Sequence, residues 1–308
     1  MRFLMIDKIC ELTPGQSVKG IKNISWDTFF LEETFPGLPV YSPVIISEAA
    51  AQLVSWAIIE ARNYTVKPVI TIIDTYTCTT HIQPGDQLQV EGEIESFSEE
   101  SALCNGRILL NGKVALDLTH AVCYLYPLNE LDPPERIKTQ FKNLYQEGYP
   151  LPIPAAKRAP VFREAIDVHP RRPIDRFLES KDPNRITGIK NVTATEDYFN
   201  DHFSLRPILP GVLTIEAFVE TAKQLAARKL LEKGITDLKP VLTNCSKLKM
   251  RRFVEPGDQL IIEARNTAFS DEKSVFKTQG TVNGKKAATI TIELVHLSLD
   301  DYKTRFLS

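Results

Sequence analysis

One plan is written twice along this chain, so whatever it folds into must be built from two like units. Gly20-Ile21-Lys22-Asn23 returns as Gly188-Ile189-Lys190-Asn191, and Phe35, Pro39 and Glu48-Ala49 return as Phe203, Pro207 and Glu216-Ala217, both at an offset of 168 residues. Pro84-Gly85-Asp86-Gln87-Leu88 returns as Pro256-Gly257-Asp258-Gln259-Leu260, and Asn111-Gly112-Lys113 as Asn283-Gly284-Lys285, at an offset of 172. The second copy therefore holds four more residues between Glu216 and Pro256. Asp7 and Asp175 match ahead of the shared Gly-Ile-Lys-Asn segment. The 308 residues divide into a first repeat over 1–127, a linker over 128–165 and a second repeat over 166–308.

Each repeat predicts an extended opening, a loop rich in aromatics and prolines, and one long helix, near 43–62 and 211–232. Val212, Leu213, Ile215, Phe218, Val219, Ala222 and Leu225 leave the second helix little polar face, and a helix apolar nearly all round is a buried one. Three extended segments follow it, over 241–254, 259–269 and 275–297. The last is folded back at Asn283-Gly284, a dipeptide favoured in two-residue hairpin turns. Asn111-Gly112 repeats that signal in the first copy. A buried helix followed by antiparallel strands predicts an α+β fold, a sheet wrapped around its helix. One sheet cannot hide such a helix on every side, so the two units are expected to pack together as a double hotdog. The linker holds Asp132-Pro133-Pro134, a charged helical run from Glu135 to Glu147, and a proline-rich stretch from Tyr149 to Pro154 that favours extended chain.

Composition narrows the class. Apolar residues make up 43% and charged residues 25%, as in ordinary globular domains. A net charge of −2 gives no general attraction to nucleic acid. Cys10, Cys78, Cys104, Cys123 and Cys245 are odd in number and lack metal-type spacing, which reads as buried thiols in a reducing compartment. No uncharged apolar run approaches the ~20 residues that span a bilayer. A cytoplasmic protein without a membrane span is expected.

The chemistry gathers in residues 198–217. There His202-Phe203, Pro207-Ile208, Pro210-Gly211-Val212-Leu213 and Glu216-Ala217 resemble, in type and spacing, the active-site segment of the β-hydroxyacyl-acyl-carrier-protein dehydratases, the FabA/FabZ hotdog family. The resemblance runs through both repeats and omits only the linker. It implies removal of water from a 3-hydroxyacyl thioester, carried on acyl carrier protein, to give the trans-2-enoyl thioester. Such chemistry needs a base for the C2 proton, and histidine titrates near working pH. It needs an acid for the departing hydroxyl, and desolvation keeps a carboxyl protonated. It needs a donor to the thioester oxygen, and a helix N-terminus offers free N–H groups. His202, a glutamate and the Gly211 N–H fill these roles. No metal or organic cofactor is implied.

The first repeat departs from that pattern. Thr34 stands where the second has His202, and Pro43 where it has Gly211. Threonine is no base near neutral pH, and proline has no N–H to offer. Ser42-Pro43 still makes a good helix start. Dimeric members of the family build each site across the interface. Carried onto this chain, the working site pairs His202 and Gly211 with Glu48, and a second, inactive site pairs Thr34 and Pro43 with Glu216.

Blander readings stand beside these. His202 can be a loop histidine, and Glu48 or Glu216 a carboxylate satisfied by backbone donors inside an apolar helix. His81, His120, His169 and His296 match no family motif and read as structural or exposed. Arg171, Arg172, Lys247, Lys249, Arg251 and Arg252 either meet an acidic carrier protein or serve solubility alone. Two other functions share the scaffold: a hotdog thioesterase, which the retained His202 and Pro210-Gly211 disfavour, and a non-catalytic acyl-binding or scaffold protein, which the decayed first repeat suggests. The tandem supplies its own pseudo-dimer, with further assembly open.

Overall fold

The computed structural model describes residues 3–26, 30–152 and 173–307. The first repeat contains β1 (Lys8–Thr13), β2 (Ser17–Asn23), β3 (Leu31–Phe35), β4 (Leu38–Tyr41), α1 (Pro43–Ala61), β5 (Val66–Cys78), β6 (Gln87–Phe97), β7 (Ser101–Leu110) and β8 (Lys113–Pro127). Two helices follow, α2 (Leu128–Leu131) and α3 (Pro134–Leu144). The second repeat contains β9 (Arg176–Glu179), β10 (Arg185–Asn191), α4 (Gly211–Glu232), β11 (Lys239–Met250), β12 (Gln259–Phe269), β13 (Lys273–Val282), β14 (Lys285–Leu297) and α5 (Leu299–Phe306).

Twelve strands form one sheet in the order β1-β2-β6-β7-β8-β5-β11-β14-β13-β12-β10-β9. The order reads the same from either end once the repeats are exchanged, so a pseudo-dyad passes between β5 and β11. Those two strands join the halves as an antiparallel pair, with Tyr76 opposite Cys245 and Ile73 opposite Leu248. The sheet wraps α1 and α4, which contact each other at the centre. The molecule is a double hotdog.

Local chemistry explains the elements. The Ser42 hydroxyl caps α1 by accepting from the Ile45 N–H, and Pro43 opens its first turn. Most α1 side chains from Val44 to Ile59 are buried, so its long apolar run is a core feature. The Gly-Ile-Lys-Asn strands carry glycine where the helix presses on the sheet: a Cβ at Gly188 would lie 2.7 Å from the Thr221 hydroxyl. Asn111-Gly112 and Asn283-Gly284 take positive φ at both positions, as the two-residue hairpin turn requires. Three of the four extra residues of the second repeat lengthen α4, which ends at Glu232 where the equivalent of Ala61 would be position 229.

The stretch after β8 is more than a connector. Ile137, Phe141 and Leu144 of α3 are buried, and Phe141 packs against Trp56 of α1 with ring centres 5.8 Å apart. The remainder of the expected linker, from 153 to 165, lies outside the described residues.

Candidate active site

A cavity of about 270 Å³ opens between the two central helices and the β5–β11 seam, lined by Glu48 and Gln52 of α1, His202 and Gly211 of the second repeat, and Ile73 and Leu248. Glu216 lies elsewhere, in a separate cavity of about 510 Å³ that Pro43 also lines. The helix glutamate of His202's own repeat is thus not the one that shares its cavity. The helices run side by side, and each repeat's loop reaches over to its neighbour's helix.

His202 follows a 3-10 turn at Asp197–Asn200, and its N–H donates to the Tyr198 carbonyl at 2.9 Å. Phe203 takes φ 57°, which swings the chain back so that Ile208 meets the imidazole. Nδ1 donates to the Ile208 carbonyl oxygen at 2.9 Å. A carbonyl only accepts, so Nδ1 holds the proton of the neutral ring and Nε2 keeps a lone pair. The Phe3 ring meets the imidazole edge-on at 5.7 Å between centres. The His202 pKa is lowered to about 4, chiefly by burial, with the Ile208 bond and Asp132 opposing and the Lys67 charge adding to the fall. The ring is therefore neutral and able to accept a proton across the ordinary pH range.

Glu48 sits one turn before Gln52, whose Nε2 donates to its Oε1 at 3.0 Å. Gln52 cannot turn over, because its Nε2 also donates to the Phe3 carbonyl at 3.1 Å and its Oε1 accepts from the Met5 N–H at 2.9 Å. Burial raises the Glu48 pKa to about 7, against the Gln52 bond and the Lys67 charge. Burial has thus set a neutral imidazole and a carboxyl protonated to near neutrality in one cavity, the states a base and an acid need.

Gly211 is the first residue of α4, after Pro210 at the cap. N–H groups in a first turn have no partner inside the helix and point outward with the positive end of its dipole. An added Cβ would meet only Met250, at an ordinary 3.5 Å, so glycine here leaves the N–H open to approach rather than relieving a clash.

The second cavity differs from its expected composition. Pro43 and Glu216 line it, but Thr34 does not: residues 31–41 form the β3–β4 hairpin instead of a loop like 198–209. Glu32 and Glu33 line the cavity, and the hairpin buries Phe35, Leu38 and Val40 under α5. Lys223 crosses to Glu32 at 3.0 Å. In place of Gln52 and Ser55, the second helix presents Glu220 and Lys223.

Several participants escaped the sequence reading. Gln52 left a signal, a polar residue one turn beyond Glu48 in an apolar helix. Lys67 and Asp132 left none, since their approach to residues 200–205 depends on how the repeats dock. The other histidines are varied. His81 is buried, bonded to the Tyr302 hydroxyl and stacked on Phe306. His296 is buried against the Ser274 hydroxyl, and His120 is exposed. His169, Arg171 and Arg172 lie outside the described residues. Arg251 and Arg252 line the rim of the His202 cavity, and Lys247 and Lys249 are exposed on β11. All five cysteines are buried free thiols.

Fold and site together define a hotdog protein with one His/Glu cavity shared between tandem units. The chain belongs to the FabA-like domain family, whose model matches residues 1–119 and 172–291. It is 43% identical over 115 residues to the 3-hydroxyacyl-[acyl-carrier-protein] dehydratase FabZ of Acetivibrio thermocellus, covering 37% of this chain and 77% of that one. With the FabZ of Streptococcus equi subsp. zooepidemicus it shares 39% over 125 residues, 40% of this chain and 86% of the relative. Its fold is similar to an acyl-ACP thioesterase from Bacteroides thetaiotaomicron, with TM-score 0.52, 10% identity and coverage of 90% and 97%. A 12:0-ACP thioesterase from Umbellularia californica aligns with TM-score 0.50, 10% identity and coverage of 91% and 94%. Identities so low speak for the fold alone.

Proposed function

We propose that this protein dehydrates 3-hydroxyacyl thioesters carried on acyl carrier protein, through one working site made of His202, Glu48 and the Gly211 N–H. The observation that carries the reading is the sharing of one cavity by His202 of the second repeat and Glu48 of the first. The two FabZ relatives, named for this reaction, support it.

In this reading His202 Nε2 takes the C2 proton, and the C–H electron pair moves toward the thioester oxygen, which the Gly211 N–H receives. Glu48 gives its proton to the 3-hydroxyl, and the C3–O bond breaks as the C2–C3 double bond forms. Water leaves, and a proton passes from the imidazolium to the Glu48 carboxylate to restore both groups. Arg251 and Arg252 at the rim suit the acidic carrier, and the reaction is that of fatty acid synthesis in the cytoplasm. The second cavity has no histidine among the described residues that line it and no helix N–H at position 43, so this reading gives it no turnover.

Incubation with a 3-hydroxyacyl-carrier thioester, followed by enoyl absorbance and free thiol together, tests this. Enoyl product without thiol release is expected. Thiol release without enoyl product would replace the reading with a thioesterase, and neither signal would leave an acyl-binding protein.

A further inference from the structure

The loop bearing His202 is gripped on both sides by groups from the first repeat and the segment that follows it. After the histidine, Asp132 Oδ1 accepts from the Ser204 N–H at 3.0 Å and from its hydroxyl at 3.1 Å. Leu131 offers its carbonyl to the Leu205 N–H at 3.0 Å. Before it, Arg136 donates to the Asn200 carbonyl at 3.1 Å and to Asp201 Oδ1 at 2.9 Å, while the Phe3 N–H reaches Asp201 Oδ2 at 3.3 Å. Asp132 is buried, with 1% of its surface exposed, and its Oδ2 lies 3.3 Å from the ammonium of Lys67 on β5. Leu131 packs with Phe203 and Ile208, the residue whose carbonyl holds Nδ1.

A buried carboxylate is costly unless its charge and hydrogen bonds are met. Here Lys67 meets the charge through an ion pair at Oδ2, and the loop donates two hydrogen bonds to Oδ1. We propose that Asp132 is a positioning residue for the dehydration: paired with Lys67, it holds the Ser204 end of the loop so that the His202 ring keeps its Nδ1 proton on Ile208 and its Nε2 toward the cavity. This rests on the dehydratase reading for its kinetic effect, and on geometry alone for its effect on the ring. The segment after β8 thereby becomes part of the machinery, and the two repeats become inseparable for activity.

Asp132→Ala and the near-isosteric Asp132→Asn test it, with Glu135→Gln on the exposed face of α3 as a control. Misplacement of a reacting group by about 1 Å can cost on the order of 10²-fold in rate. Asp132→Ala is expected to lower kcat by about that factor, with KM changed less than about threefold, and Asp132→Asn to fall between it and the parent. In ¹⁵N spectra the parent His202 ring, assigned by its loss in His202→Ala, should show a protonated Nδ1 and an unprotonated Nε2. Asp132→Ala should move both nitrogens toward an exchanging mixture while the remaining histidines keep their signals. Unchanged His202 ring signals in a folded Asp132→Ala protein overturn the proposal, whatever its turnover. If the parent fails to dehydrate, the functional reading falls, but the ring signals still decide the positioning. Should Asp132→Ala not fold, the same measurements on Asp132→Asn and Ser204→Ala decide.

Discussion

The two halves of this molecule show how one scaffold can keep a cavity and change what lines it. Both present a glutamate at the same turn of a buried helix, Glu48 and Glu216, and both cavities lie between that helix and the neighbour's loop. They differ in what closes over the glutamate. On the Glu48 side an irregular segment delivers His202, and the chain leaving β8 holds it with the polar side chains of Asp132 and Arg136. On the Glu216 side a short hairpin delivers Glu32, and the chain leaving β14 covers it with the rings of Tyr302 and Phe306. The segments that follow β8 and β14 thus hold their cover through polar side chains in one half and aromatic ones in the other. The halves differ in backbone as well as in the histidine: residue 34 stands in a hairpin strand, and residue 202 in an irregular segment.

The comparison can be broken most directly at His202. His202→Ala is expected to reduce dehydration by about 10²–10⁴-fold, the usual cost of losing a general base, with little change in thermal midpoint. Turnover within a few-fold of the parent would move the working base elsewhere.

The glutamates come next. Glu48→Gln should lose at least about 10²-fold, because glutamine keeps the volume but delivers no proton, while Glu216→Gln should stay within about twofold. Equal losses in the two variants would make both cavities productive and erase the distinction between the halves.

The pH profile sharpens the assignment further. His202 must be neutral, so activity should fall as pH drops through about 4, and Glu48 must be protonated, so it should fall as pH rises through about 7. Stability follows the same Glu48 shift. A carboxyl whose folded pKa is raised favours the fold below its unfolded value, and that contribution is lost as pH rises through about 7. Glu48→Gln should therefore narrow the difference in melting temperature between pH 5 and pH 8, measured by calorimetry.

The smallest expected effect is the most pointed. In a His202→Ala background, Thr34→His with Pro43→Gly should give no measurable recovery, because residue 34 lies in β3 and does not line the Glu216 cavity. Recovery of enoyl formation would show that the hairpin yields easily and that the halves differ by side chains alone.

Much of this was legible before any coordinates. The duplicated segments set two units, the apolar helices set their burial, and Asn-Gly set the hairpins, since each depends on neighbours in sequence and on the period of side-chain placement. Family spacing around His202 and Gly211 gave the chemistry, and the missing N–H of Pro43 was readable from proline itself. Three things were not legible from local pattern. Which glutamate shares a cavity with His202 depends on the docking of α1 beside α4, so the expectation of Glu48 came from the family's cross-interface sites alone. Thr34 aligns with His202 in sequence, yet its strand pairing with Leu38–Tyr41 and the cover from α5 at the far end of the chain took it out of the cavity. Asp132 reads as a linker acid beside two prolines, and becomes a buried partner of Lys67 and Ser204 only when β5, the linker and the His202 loop converge. Local periodicity and duplication determined the elements, and the family resemblance supplied their expected chemistry. Contacts between residues tens to hundreds of positions apart decided which of those groups face one another.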